Sequence, residues 1–263
     1  MKKTILVLLL LFEFASFCEG QNLALELLSF KPLKAESFIG IDGLKNMYFI
    51  NNNILNKKSA SESWQYKNIS LGKITSVDIQ NPLKIVLFYE NFNTIVLLDN
   101  QLNEIKNINF SENNVPIIVG ATGIAAQNKL WIYNSLSQQI GLFDYFKNTY
   151  RFITPSFQGN IKQYQSDFNT FYWIDEAKSG FSCDIFGKIT DLGKIPDYDQ
   201  IQVMSNISVL YKKNDLLYYY SLLDNKTYSI DFDKKTFDYF YYKDKILSIF
   251  TSEGITNYKI TIP

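Results

Sequence analysis

The sequence predicts an all-β fold, a β-propeller of six four-stranded blades closed by an N-terminal strand. Residues 72–110 read as four strands joined by three tight connections, which is one blade. In the first of these strands polar and apolar residues alternate, the period-two pattern of a strand. Residues 84–89 and 94–98 are apolar at nearly every position, as are strands covered on both faces. Similar segments recur about every 40 residues, the spacing of four-stranded blades.

Six such units follow one another along the chain. Their inner strands start near Phe38, Lys73, Ile117, Ile161, Tyr198 and Phe237. Seven blades would leave roughly 34 residues each, which is short for four strands and their turns. The rival fold is a large sandwich or an open barrel, since no WD or kelch signature is repeated. The recurring order of polar and then apolar strands favours the propeller.

An additional strand precedes the first unit. Residues 23–30 are largely apolar and are followed by Pro32, which cannot donate a hydrogen bond to a sheet. In propellers, an extra N-terminal strand often pairs with the last blade, here expected over residues 237–262. We therefore predict that residues 21–263 form a single propeller domain whose ring this strand closes.

The first 20 residues have the pattern of a secretory signal peptide. Lys2 and Lys3 form a charged start, residues 5–12 an apolar centre, and the segment ends at Gly20. This apolar stretch is too short for a membrane anchor, and no later one is long enough to span a bilayer. We expect cleavage after Gly20 and export of the chain to the periplasm.

Cysteine and histidine usage narrows the possible chemistry. Cys18 is a poor candidate for lipidation, because Phe17 before it is not small. If Cys18 is removed with the signal peptide, Cys183 remains as a lone thiol, which is expected to be buried and inert. The chain has no histidine, which removes Ser-His-Asp and Cys-His catalysis and the commonest metal ligand. We predict that the protein is not an enzyme and that it binds neither a cofactor nor a metal.

Net charge argues against a nucleic-acid partner. The chain has 26 basic and 26 acidic residues, and Arg151 is the single arginine. Nucleic-acid surfaces need clustered positive charge and favour bidentate arginine contacts.

Three groups of carboxylates are candidate sites. Asp99–Glu104 loosely resembles the start of a calcium loop but lacks its glycine and its final glutamate, so a hairpin turn is favoured. Asp175 and Glu176 could pair as in glycosidases, although sequence alone gives no separation between them. The third group, favoured as a solvated turn, comprises Asp231, Asp233 and Asp238.

Aromatic residues are the main candidates for binding. The runs 218–220 and 239–242 place aromatic side chains on both faces of a strand, which packing between blades explains. The alternative is an exposed patch that docks a partner, since Tyr and Trp are enriched at interface hot spots. The candidate partner-binding residues are Trp64, Trp131, Tyr219 and Tyr241.

The segment at residues 81–105, NPLKIVLFYENFNTIVLLDNQLNEI, resembles one that recurs in small exported β-propeller proteins of Bacteroidetes. Within that group it is similar to the PorD-like subunit associated with the type IX secretion system. The resemblance covers about one blade, and it brings no catalytic motif with it. It implies a periplasmic accessory subunit bound to an outer-membrane lipoprotein or translocon subunit.

The leading functional hypothesis is therefore a protein-docking propeller of an outer-membrane-associated assembly. The alternatives are a lyase or glycosidase that uses carboxylates or tyrosine, and a propeller that binds carbohydrate or another ligand in the cell envelope.

Overall fold

A computed structural model describes residues 23–112, 116–232 and 236–262. Its strands form six antiparallel sheets of four strands each, arranged as the blades of a propeller, which confirms the predicted fold. In chain order the strands are β1 Leu25–Pro32, β2 Ser37–Ile41, β3 Met47–Asn51, β4 Ile54–Lys58, β5 Ser63–Tyr66, β6 Ser76–Asp78, β7 Ile85–Tyr89, β8 Thr94–Leu98, β9 Glu104–Asn109, β10 Val119–Ala125, β11 Lys129–Asn134, β12 Gln139–Asp144, β13 Thr149–Phe152, β14 Ile161–Ser166, β15 Thr170–Asp175, β16 Ser179–Asp184, β17 Ile189–Lys194, β18 Gln200–Ser205, β19 Ser208–Lys213, β20 Leu216–Ser221, β21 Lys226–Ile230, β22 Tyr239–Lys243, β23 Ile246–Thr251 and β24 Gly254–Ile260.

The N-terminal strand closes the ring as predicted. Strand β1 pairs antiparallel with β24, from Leu25 opposite Ile260 to Pro32 opposite Gly254. The last blade therefore has the order β1-β24-β23-β22, and its outermost strand comes from the start of the chain. Without β1, β24 would present an unpaired edge. The pairing also joins the N-terminal and C-terminal ends of the chain in one blade.

The core lies between the blades. Strands β7 and β8, in the middle of blade two, are buried at every position, because neighbouring blades cover both faces. One apolar cluster joins blades two and three through residues such as Phe88, Phe110 and Phe143. The uniform apolar pattern of these strands is thus explained by burial on both faces.

The inner strand of blade two is shorter than the sequence pattern predicts. The alternation of apolar and polar residues predicts a strand over residues 74–79, but β6 covers only Ser76–Asp78. The Asp78 carboxylate accepts a hydrogen bond from the Gln80 N–H, which starts the turn early. Two single-turn 3-10 helices, Glu90–Phe92 and Phe110–Glu112, flank the outer half of this blade.

Successive strands of a blade alternate in direction, so the turns of all blades fall on two opposite faces. The turns from first to second strand and from third to fourth strand emerge on one face, which we call the turn face. The remaining connections, including those between blades, emerge on the opposite face.

Some expectations fall outside the described residues. The signal peptide at residues 1–20, Cys18 and Asp233 are among them, so cleavage after Gly20 remains a prediction. Within the described ranges, no helix has the length and apolar character needed to span a membrane.

Candidate functional site

A central channel runs where the six inner strands meet. It encloses a cavity of about 510 Å³ that residues from every blade line. The lining is rich in hydroxyl and amide groups, with Asp78, Lys162 and Lys243 as its charged side chains. Polar residues at alternate positions of the inner strands face this channel, and their apolar neighbours face the blades.

Glutamine side chains join neighbouring inner strands along the channel. The Gln202 Nε2 donates to the Tyr242 carbonyl at 2.7 Å, and the Tyr242 N–H donates to the Gln202 Oε1 at 2.8 Å. Gln200 bonds in the same way to Phe240, and Gln165 to Val203. Each amide therefore occupies the place of a peptide group in a paired strand and ties one blade to the next.

Asp78 makes the corresponding contact between blades two and three. Its Oδ2 accepts a hydrogen bond from the Ile124 N–H at 2.7 Å, and its Oδ1 one from the Gln80 N–H. Burial raises the pKa of the Asp78 carboxyl, although these N–H groups and the charge of Lys243 act in the opposite direction. The hydrogen bond from the Ile124 N–H to Asp78 therefore ties blade three to blade two.

Two glycines allow inner strands to approach closely. A Cβ on Gly123 would lie 2.0 Å from the Ser166 hydroxyl oxygen, across the junction of blades three and four. A Cβ on Gly40 would lie 2.8 Å from the Tyr241 ring, across the junction of blades six and one. A side chain at either position would force its neighbour to move, so the close packing at the channel favours glycine there.

Two of the four predicted partner-binding residues are buried. Trp131 has no exposed surface, and its indole N–H donates to the Asp167 carbonyl at 2.8 Å. Tyr219 is also buried and packs against Tyr228 with ring centroids 5.7 Å apart. The folded protein gives neither side chain a surface on which a partner could dock. Packing between blades accounts for both, because their strands are covered on each face.

Trp64 and Tyr241 are partly exposed, and both remain predictions as contact residues. The Lys57 ammonium lies 5.1 Å from the Trp64 ring centre and 5.6 Å from that of Tyr48. Burial lowers the pKa of Lys57, whereas Asp42 and Asp99 act in the opposite direction. Trp64 therefore covers a sequestered lysine.

In two of the three candidate carboxylate groups, the carboxylates accept hydrogen bonds from nearby residues. Asp99 accepts hydrogen bonds from the N–H groups of Gln101 and Asn103, both at 2.8 Å, as in an Asx turn. Asp175 accepts one from the Ser179 N–H, and Glu176 receives one from Asn160. Among the described residues, no three His, Cys, Asp or Glu side chains cluster as a metal site would require.

The turn face carries a group of exposed apolar side chains that sequence reasoning did not identify. On blades three to five these are Phe146, Phe168, Phe186, Ile207 and Leu223, which we call the apolar arc. Phe186 is 85% exposed, Leu223 72% and Phe146 70%. Polar residues are the rule at turn tips, and a group of exposed apolar side chains there is a candidate binding surface.

Hydrogen bonds hold the turns of the apolar arc together. The Ala126 N–H donates to the Phe168 carbonyl at 2.8 Å and so joins blade three to blade four. The Leu222 N–H donates to the Ile207 carbonyl at 2.8 Å and joins two turns of blade five. Asp184 accepts the Phe186 N–H at 2.9 Å, which directs the carboxylate inward and leaves the phenyl ring outside.

The fold is shared with several solved propellers at low sequence identity. A member of the DUF4221 family from Bacteroides vulgatus is 10% identical with a TM-score of 0.58, over 93% of this chain and 99% of that one. A protein of unknown function from Bacteroides thetaiotaomicron is 13% identical with a TM-score of 0.57, over 92% and 73%. Virginiamycin B lyase from Staphylococcus aureus, in complex with quinupristin, is 10% identical with a TM-score of 0.57, over 91% and 100%. Neither protein-family models nor curated proteins match the chain.

These neighbours correct one prediction. The expectation that the chain is not an enzyme is contradicted, because virginiamycin B lyase is an enzyme and shares the fold. The absence of histidine removes one set of catalytic groups and leaves carboxylates, lysines and tyrosines in place. A fold that serves both enzymes and other proteins does not decide between them.

Proposed function

We propose that the protein is a periplasmic propeller that docks a partner protein through the apolar arc. The partner is an envelope protein, such as an outer-membrane lipoprotein or a translocon subunit. Because residues 81–105 resemble a segment of the PorD-like subunit, we propose that this assembly is the type IX secretion system. The observation that carries the docking proposal is the exposure of five large apolar side chains on adjoining blades of one face.

Exposed apolar groups on ordered turns are well suited to protein docking. Because the turns are already hydrogen-bonded to one another, binding loses little conformational freedom. Large aromatic side chains that become buried on docking contribute much of the free energy of binding at interfaces. Phe146 and Phe186 are large aromatic side chains that are exposed in the free protein. Their turns are ordered, because an aspartate two residues earlier accepts the backbone N–H of each.

The charges beside the arc favour a protein over a nucleic acid or a strongly charged surface. Asp144 and Asp184 are directed to backbone N–H groups of their own turns. Lys147 and Lys188 in those turns offset their charge, so neither sign dominates. Binding should therefore persist at about 0.5 M salt, where exposed charges are screened within a few ångström.

Photo-crosslinking in the native envelope tests this proposal. A photoreactive phenylalanine analogue replaces Phe186 in one protein and Ile69 in another, since Ile69 is 81% exposed on the opposite face. We expect a discrete protein adduct from position 186 and none from position 69. A Phe186→Ser and Leu223→Ser double variant should lose the partner on co-purification, whereas Ile69→Ser should retain it.

Three outcomes would overturn the proposal. They are an adduct at position 69 without one at 186, adducts with lipid alone, and undiminished co-purification by the double variant. Identification of a captured protein outside type IX secretion would refute that assignment while leaving docking intact.

A further inference from the structure

A second cavity lies at the seam where blade six meets blade one. It has a volume of about 270 Å³ and lies between β1, the turn at residues 42–46 and strands β22 to β24. We call it the seam cavity. It is on the opposite side of the ring from the apolar arc, and the docking proposal makes no use of it.

A row of polar residues crosses the blade at this cavity. Tyr241 is opposite Ser248, Ser248 is opposite Asn257, and Asn257 is opposite Ser29. The Ser248 hydroxyl donates to the Asn257 Oδ1 at 2.7 Å, and the Asn257 Nδ2 donates to the Ser29 hydroxyl oxygen at 3.0 Å. All four residues line the seam cavity.

The hydroxyl groups of Tyr241 and Ser29 remain available in this cavity as hydrogen-bond donors. Within the described part of the chain, the Tyr241 hydroxyl has no hydrogen-bond partner although its ring is packed against Gly40 and Phe38. Burial raises the pKa of Tyr241, and nearby carboxylates act in the same direction, so the hydroxyl keeps its proton at neutral pH. Ser29 accepts from Asn257 and retains its own proton for donation.

The charged side chains of the cavity lining are three lysines and two aspartates. Lys31, Lys45 and Lys243 line the cavity, and none of them forms an ion pair with another described residue. Asp42 and Asp244 are the acidic groups of the lining. Asp42 is saturated, because its two oxygens accept four hydrogen bonds from its own turn and from Tyr48.

We propose that the seam cavity binds a small organic anion. Its carboxylate or phosphate head lies among the Tyr241 hydroxyl and the lysine ammonium groups, and its short apolar body lies beside Ile41 and Ile246. Lysine and hydroxyl donors suit an acceptor-rich, negatively charged head. The volume, just below the roughly 300–1,000 Å³ of drug-sized pockets, restricts the ligand to about the size of a substituted ring.

Calorimetric titration of the full protein with benzoate and with phenyl phosphate tests this inference, at constant ionic strength. Benzyl alcohol serves as the uncharged control of similar shape. We expect saturable binding at one site for at least one anion and none for the alcohol. Comparison of the two anions distinguishes a carboxylate from a phosphate ligand.

Substitutions in the lining test whether the anion binds in the seam cavity. Tyr241→Phe keeps the ring and removes the donor, and Lys243→Gln removes one charge; each should weaken binding about tenfold or more. Lys245→Gln is the matched control, because Lys245 is in the same turn but does not line the cavity. Thermal unfolding checks that all variants are folded. The inference is overturned if neither anion binds saturably, if benzyl alcohol binds as tightly, or if Lys245→Gln loses as much affinity as Lys243→Gln.

Discussion

Replacing Gln202 by methionine should loosen the junction between blades five and six. The glutamine amide makes two hydrogen bonds to the Tyr242 backbone, at 2.7 and 2.8 Å. Methionine has a similar length but neither donates nor accepts a strong hydrogen bond, so the Tyr242 N–H and carbonyl lose their partners.

The magnitude follows from the two bonds. A net contribution of about 1 kcal/mol each, together with incomplete solvation of the Tyr242 peptide groups, gives a loss of roughly 2–3 kcal/mol in the free energy of unfolding. At about 2–4 °C per kcal/mol for a chain of this size, the melting temperature should fall by roughly 4–12 °C.

Urea unfolding measures the free energy, with Gln163→Met as the matched control. Gln163 also lines the channel from an inner strand, but its amide makes no hydrogen bond with another described residue. We expect Gln163→Met to change stability by less than about 0.5 kcal/mol. Equal losses in the two variants would refute the idea that glutamines tie the blades together.

Three further experiments test other parts of the ring. Deletion of residues 23–32 should remove several of the roughly 5–15 kcal/mol available to a domain, because β24 becomes an unpaired edge; urea unfolding indistinguishable from that of the intact protein would disprove closure by β1. Gly123→Ala should cost about 1–3 kcal/mol in the same assay, since the new Cβ would lie 2.0 Å from the Ser166 hydroxyl oxygen, and adding Ser166→Ala should recover part of the loss. Burial raises the pKa of Cys183 to about 12, so at pH 8 its protonated thiol should react with Ellman's reagent only after unfolding; rapid labelling of folded protein would contradict this.

The blades were predictable because their signals are local. Alternating inner strands, continuous apolar middle strands and turn residues each occur within about ten positions, and the unit then repeats. Strand β15, Thr170–Asp175, is one of these middle strands, and four of its six residues are buried. The C-terminal end of β6 differs from the pattern because the Gln80 N–H donates to the Asp78 side chain and starts the turn there.

The junctions between blades were not predictable from such signals. Gln202 and Tyr242 are 40 residues apart, one blade repeat, and so are Gln200 and Phe240. A glutamine on an inner strand is indistinguishable in sequence from a solvated one until the neighbouring strand is placed beside it. Trp131 shows the converse difficulty, since an aromatic residue in a strand suits either an interface or a core, and here it is fully buried.

The turn face carries a faint signal that could have been found. Phe146 and Phe186 each stand two residues after an aspartate, at the tip of the turn between the third and fourth strands of their blades. The aspartate predicts an Asx turn, and the turn places the second residue outward. A large apolar residue at that position, repeated in adjoining blades, indicates a surface that favours contact over solvation.

The hydrogen bonds of the channel bear on where binding takes place. Gln165, Gln200 and Gln202 are committed to neighbouring strands, so a ligand that engaged their amides would have to break contacts that hold the blades together. A partner or ligand could reach the Phe186 ring and the Tyr241 hydroxyl without breaking such a bond, because neither group hydrogen-bonds to another described residue. They also lie on different blades, so the variant Phe186→Ser should leave anion binding unchanged and Tyr241→Phe should leave protein capture unchanged. Loss of both functions in either variant would show that the two surfaces act as one site, and the separation argued from the ring would then be wrong.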